Sequence, residues 1–287
     1  MRVGGVAVLS DVVGLLRCPH CHTGFTLSEC SLRCSEGHVF DVARQGYVNL
    51  LPGGADTKTA DTSAMVEARD AFLGKGHYSL VVQGVAAAAE LGLAEGPEGC
   101  IVDVGAGTGH YLAAVLDRVP QRVGLALDIS KFALRRAARA HDGIGAVVCD
   151  IWRPLPVLTD SAAAVIDVFA PRNPDEIQRV LKPGGVLIVA TPSQAHLREI
   201  ISALDLLSVD PCKQQRLDET FGSHFALVKR TLMEGTIALD HADVGALAGM
   251  GPSAWHIEPA VLQRRITELK DPTSVTISVT ISVYRCA

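Results

Sequence analysis

The chain has 287 residues, 48% of them hydrophobic, and a net charge of −5. That length fits one large domain or two, with ample apolar material for a buried core and no run long enough to span a bilayer. The first 80 residues hold seven Lys or Arg against eight Asp or Glu. This argues against a binder working through bulk basic charge and leaves RNA recognition open.

In chain order, the leader from Val3 to Leu16 is mildly apolar but carries Asp11 and a single early Arg2. It has no convincing cleavage site and does not read as a signal peptide. Next come Cys18, Cys21, Cys34 and His38, in the pattern C-x2-C-x12-C-x3-H. Three thiolates and an imidazole at that spacing close a tetrahedral zinc site with no open position, which is a structural site. His20 and His22 are rival ligands, and Cys30 reads as a small apolar filler. Cys100, Cys149, Cys212 and Cys286 are scattered and read as core fillers. A zinc-type cluster without a targeting segment points to the reducing cytoplasm.

The zinc segment spans residues 16–51. A linker over 52–63 opens with Pro52-Gly53-Gly54, turn-forming residues that separate two cores. Residues 64–287 form the larger domain. Ala64, Ala68, Ala71 and Phe72 fall at helical spacing, and a second helix runs from Leu80 to Leu91. Strands are expected at Cys100–Val104, Val123–Asp128, Ala146–Asp150, Ala163–Phe169 and Val186–Ala190. Helices at 109–119, 131–140 and 175–181 lie between them. Such β-α repeats with continuously apolar strands predict a parallel sheet covered on both faces. Phe225–Leu239 and Val275–Tyr284 alternate, as an antiparallel edge pair does. Helical sequence over 243–250 and 259–269 separates those two. Arg135, Arg136 and Arg139, like Arg264 and Arg265, read as solvated faces.

The segment Asp103-Val104-Gly105-Ala106-Gly107-Thr108-Gly109 is a strand-to-helix turn whose bare backbone lets a ligand approach. The dinucleotide pattern needs glycine at position 110, and His110 stands there. Asp128, at the end of the second strand, suits ribose hydroxyls of any nucleoside. Asp150 ends the third strand, and a helix cap explains it equally well.

Three blocks then stand in order: the zinc quartet with Phe40 to Leu51 (FDVARQGYVNLL), Ala68 to Tyr78 (ARDAFLGKGHY), and the glycine turn. In that order and spacing the chain resembles the 23S rRNA (guanine-N1)-methyltransferases. It looks most like the tylosin and mycinamicin type that protects macrolide producers. The resemblance runs from about Leu16 to the C-terminus. It implies an α/β class I methyltransferase fold, Rossmann-like with a seven-stranded sheet, beside a small N-terminal zinc-binding domain. It also implies S-adenosylmethionine as cofactor, a 23S rRNA hairpin loop near the macrolide site as partner, and a homodimer.

The resemblance makes Tyr78, Asp103, Gly105, Gly107, Thr108, Asp128, Asp150 and His196 cofactor contacts. By residue type alone, Tyr78 is equally a packed aromatic and His196 a surface histidine. In this fold the end of the fourth strand, Phe169 to Pro174, faces the transferred methyl. Arg172 and Asn173 are the catalytic candidates there, for O6 charge and the base edge, and Phe169 for stacking; an arginine in solvent is the alternative. Arg44, Gln45 and Tyr47 are candidates for RNA contact. A small-molecule methyltransferase has the same sheet and glycine turn but no evident need of a zinc segment. A non-catalytic RNA-binding module would not need Asp103, the glycines and Asp128 together.

Overall fold

The computed structural model describes residues 6–251 and 257–286; Val3, the start of the leader, lies outside them. The chain-order elements begin with α1 (Val6–Val12), followed by β1 (Phe25–Ser28), β2 (Ser31–Cys34), β3 (Val39–Asp41) and β4 (Tyr47–Asn49). Helices α2 (Ser63–Gly74) and α3 (Ser79–Leu93) lead to β5 (Cys100–Val104), α4 (His110–Arg118), β6 (Gly124–Asp128), α5 (Lys131–Ala140) and β7 (Ile144–Val148). Then come β8 (Ala162–Val168), α6 (Pro174–Val180), β9 (Leu181–Pro192), α7 (Arg198–Leu204), α8 (Lys213–Phe221) and β10 (Phe225–Leu239). The chain closes with α9 (His241–Gly249), α10 (Pro259–Thr267) and β11 (Thr273–Cys286).

β1, β2 and β3 make a small antiparallel sheet, and the large sheet has the order β10-β11-β9-β8-β5-β6-β7-β4. The seven expected strands are present: five parallel, with β11 antiparallel to β9 and β10 antiparallel to β11. This is the expected class I plan with an addition. β4, from the zinc segment, pairs parallel to β7 and makes an eighth edge strand. The expectation missed β4 because three residues are too few to show a period.

Local sequence explains the helix starts. The Thr62 and Ser130 side chains accept from Met65 and Ala133 N–H, and Asn173 and Asp240 cap α6 and α9 likewise. Two apolar layers flank the sheet. One holds Val81, Val85, Leu112, Leu134 and Ile277; the other holds Leu9, Val12, Leu32, Val102, Leu125, Ile177 and Phe221.

The second layer corrects the expected separation of two cores. Cys18, Phe25, Leu32, Cys34 and Val42 of the zinc segment share it with Val102, Val104 and Leu127 of the sheet. The leader joins it too. Leu9 and Val12 are fully buried, and a Cβ on Gly145 would lie 2.4 Å from Val12 Cγ2. Only glycine on β7 lets α1 come so close. The zinc segment itself cannot bury enough apolar surface in about forty residues, so it uses the sheet face as its core.

Candidate active site and zinc centre

The four candidate zinc ligands come from two turns. Cys18 N–H donates to Thr23 O at 2.8 Å, and His22 N–H to Cys18 O at 2.9 Å, with His22 at φ 62°. In the second turn Gly37 N–H donates to Cys34 O at 3.1 Å, and Gly37 takes φ 83°. These turns bring Cys18, Cys21, Cys34 and His38 within 4.8 Å of one another. Cys21 Sγ to Cys34 Sγ is 3.6 Å, Cys18 Sγ to His38 Nδ1 3.6 Å, and Cys34 Sγ to His38 Nδ1 3.2 Å. A tetrahedron with Zn–S of ~2.3 Å and Zn–N of ~2.0 Å has edges of about 3.5–3.8 Å. The donor set therefore fits zinc. His20 stacks on Phe40 at 5.9 Å and His22 stays outside the cluster. Cys30 is exposed at the β1–β2 turn and fills nothing; Cys212 is exposed as well.

A cavity of about 540 Å³ opens at the C-terminal ends of β5, β6, β7 and β8. Tyr78, Asp103, Gly105, Gly107, Thr108, Asp128, Asp150 and His196 all line it. Parallel strands aim their C-terminal ends, and the helix N-termini that follow, at one crevice, which explains the convergence. Gly107 N–H donates to Asp128 Oδ2 at 2.9 Å and Ser130 N–H to Asp128 Oδ1 at 2.7 Å. The carboxylate is thus fixed at the cavity wall.

Gly105, Gly107 and Gly109 have φ of 75°, 53° and 82°. A Cβ at Gly105 would strike Ala170 Cβ at 2.5 Å, one at Gly109 would strike Ala137 at 2.9 Å, and one at Gly107 would crowd the Arg69 guanidinium at 3.3 Å. So the first and third glycines serve packing, and the first and middle ones lie at the cavity.

Asp103 is 1% exposed, and its Oδ2 has no hydrogen-bond partner among the described residues. Burial, with Asp167 and Asp128 nearby, pushes its carboxyl well above the usual range. An unsatisfied buried acid beside a cavity fits a cationic ligand group, and S-adenosylmethionine carries an ammonium and a sulfonium. Ser278 N–H donates to His196 Nδ1 at 3.2 Å, which leaves the proton on Nε2. Nε2 lies 3.1 Å from Tyr78 Oη and donates to it, so the tyrosine hydroxyl keeps its own proton for another acceptor. Burial, and then Lys213, lower the His196 pKa to about 4, so the ring stays neutral. His196 is a buried histidine and not a surface one.

Asp150 lines the cavity, and it caps no helix: β7 is followed by a turn, in which its Oδ1 accepts from Trp152 N–H at 3.0 Å. Arg172 and Asn173 are not brought to the cavity. Arg172 Nε turns inward to Asp167 Oδ1 at 3.4 Å, and Asn173 caps α6. The backbone bends at Phe169, φ 57°, so Phe169, Ala170 and Pro171 line the cavity while the next two residues leave it.

Sequence reasoning missed Thr59, Asp61, Arg69, Trp152 and Lys213, which also line it. Arg69 ion-pairs with Asp61 and donates to Met250 O at 2.8 Å, and Ser130 Oγ donates to Asp61 O at 2.8 Å. The linker is therefore tied across the cavity. The one signal for Arg69 was its place in the Ala68–Tyr78 block. Trp152 and Lys213 gave none.

Residues 16–58 match the family model described as RlmA, N-terminal, a zinc ribbon, and residues 101–185 match a methyltransferase domain. The 23S rRNA (guanine(748)-N(1))-methyltransferase of Streptomyces fradiae is 49% identical over 276 residues, covering 96% of this chain and 98% of that protein. A Micromonospora griseorubida protein named for 23S rRNA guanine-N1 methylation is 45% identical over 291 residues, with the same shares covered. By contrast, the malonyl-[acyl-carrier protein] O-methyltransferase of Methylococcus capsulatus matches only 36% of this chain. The likeness to the first two runs end to end, through ribbon and cavity alike, and the chain belongs to the 23S rRNA (guanine-N1)-methyltransferase family.

Proposed function

We propose that this enzyme methylates N1 of a guanine in a 23S rRNA hairpin loop at the macrolide site, and so confers macrolide resistance. The Streptomyces fradiae relative is named for guanine 748, and that nucleotide is the target expected here. The observation that carries the reading is the near-complete match to that relative, across the zinc ribbon as well as the cavity. A small-molecule methyltransferase would share the cavity and have no use for the ribbon.

S-adenosylmethionine supplies an activated methyl group on a sulfonium. Asp103 offers its free oxygen to the cofactor's ammonium, Asp128 holds the ribose, and Asp150 meets the adenine. Tyr78, oriented by His196, donates its hydroxyl proton to the cofactor. Gly105, Gly107 and Thr108 supply the close backbone of the glycine turn. These groups position the donor, which is most of what an in-line displacement requires of a protein.

The division of labour is between residues 16–51, which read the RNA, and residues 64–287, which carry out the transfer. The linker over 52–63 joins them. Arg44, exposed beside the ribbon, is a candidate RNA contact, whereas Tyr47 packs against the core. The enzyme works in the cytoplasm, where its substrate is; no described helix is long and apolar enough to cross a membrane. It acts as a homodimer. Support comes from the edge strand β10, where Leu227, Val228 and Leu232 are 47%, 57% and 56% exposed. Mass mapping of 23S rRNA from cells with and without the gene tests the function. One guanine should gain a methyl group only when the gene is present, and identical maps would refute the reading.

A further inference from the structure

N1 of guanine holds a proton at neutral pH, so a group near O6 must stabilise the charge that builds there as that proton leaves. Arg172 does not serve, because its guanidinium is directed inward to the fully buried Asp167. Two other cations line the cavity. Arg69 lies at the glycine turn and is held by Asp61 and the Met250 carbonyl. Lys213, the first residue of α8, is the other.

Lys213 differs from Arg69 in two ways. Its ammonium makes no hydrogen bond or ion pair among the described residues, although the side chain is half-buried. Its titratable neighbours also place it away from the glycine turn. They are Asp167 on β8, Arg172 just after β8, and His196 beyond β9. That is the end of the cavity walled by Phe169, which is 39% exposed. Phe169 stacks beside His196 at 6.0 Å and holds a left-handed φ of 57°, a conformation that costs a bulky residue about 1 kcal/mol or more. Exposed aromatic rings at a cavity rim are what a base drawn out of an RNA loop stacks against.

We propose that Lys213 meets O6 of the target guanine, beside the aromatic wall of Phe169, and stabilises the negative charge that develops there. The inference rests on the guanine-N1 reading above. In the balanced step the N1 lone pair forms the new C–N bond, and the methyl–sulfur pair stays with sulfur as a neutral thioether. The N1 proton passes to water at the open rim. Burial, with Arg172 nearby, lowers the Lys213 pKa, which makes its ammonium a better donor to O6.

The test compares wild type, Lys213→Met and Lys213→Arg on 23S rRNA from gene-free cells, supplied both naked and as large subunits. Lys213→Met should lower kcat about 10²–10³-fold at neutral pH, the usual loss for one oxyanion donor. Its deficit should narrow as pH rises and N1 ionises unaided, and Lys213→Arg should restore much of the rate. Calorimetric affinity for S-adenosylmethionine should be unchanged, which also shows that the variant is folded. A wild-type rate in Lys213→Met, a deficit equal at every pH, or a deficit explained by weaker cofactor binding overturns the inference alone. If wild type forms no N1-methylguanine, the functional reading falls and the inference with it.

Discussion

Asp103 is a carboxyl group whose surroundings are incomplete without a ligand. It is buried, it faces two other acids, and one of its oxygens bonds to nothing described. Its folded pKa is raised, so the native protein binds its proton more tightly than the unfolded chain does. That contribution to stability is full below about pH 4 and is lost as pH rises through the raised value. A cationic ligand reverses the preference by favouring the ionised form. Cofactor binding should therefore release a proton, and affinity should rise with pH across the range where free Asp103 is still protonated. Asp103→Asn keeps the shape and removes the charge. It should weaken S-adenosylmethionine about 10–100-fold, the worth of one charged hydrogen bond, and abolish the pH dependence. Titration calorimetry in buffers of different ionisation enthalpy measures both. Unchanged affinity in Asp103→Asn would place the ammonium elsewhere.

Among the elements, α1 and β4 matter most for how the molecule is put together. If the linker separated two cores, a protein lacking residues 1–51 would keep its cofactor site. Such a protein loses α1, the ribbon and β4, and uncovers Val102, Val104, Leu125, Leu127 and Val147 on one sheet face. Each buried aliphatic side chain contributes about 1.5–3 kcal/mol, so uncovering these five loses as much as the 5–15 kcal/mol that holds a typical domain together. The fragment 52–287 should be insoluble and bind no cofactor, as solubility and calorimetry would record. A soluble, cofactor-binding fragment would show that the ribbon is dispensable to the core.

These elements also mark what was legible in the sequence. β5 to β9 were plain because their apolar runs are bounded by glycine, proline and aspartate, and the glycine turn placed the cavity at their ends. Asp103, Asp128 and His196 were found through motif and resemblance. α8 was not read at all: Lys213–Phe221 is mostly polar, with only Leu217 and Phe221 buried, so it has almost no apolar stripe. Lys213 went unseen with it. Arg172 misled because its residue type suits the chemistry, while the turn at Phe169 decides where it points.

At the scale of the whole molecule, the ribbon, the sheet and the linker form one structural unit. Cys18 and Cys34 belong at once to the candidate zinc cluster and to the core layer under the sheet. The linker runs from the ribbon across the cavity, where Asp61 grips Arg69 and its carbonyl accepts from Ser130. Zinc removal should therefore not melt a separate finger. Structural zinc in small domains is worth about 10–16 kcal/mol, as large as the stability of an entire domain. Chelation, or Cys34→Ser, should lower the melting temperature of the whole chain in a single cooperative transition and weaken cofactor binding, although none of the four candidate zinc ligands lines the cavity. Scanning calorimetry with and without chelator, alongside elemental analysis for one zinc per chain, makes the measurement. Two separate transitions, with the upper one unmoved and still stabilised by cofactor, would mean that ribbon and sheet fold independently. The coupling would then be confined to the linker. A single transition would instead mean that the surface proposed to read the RNA and the cavity proposed to methylate it are held in register by one shared core.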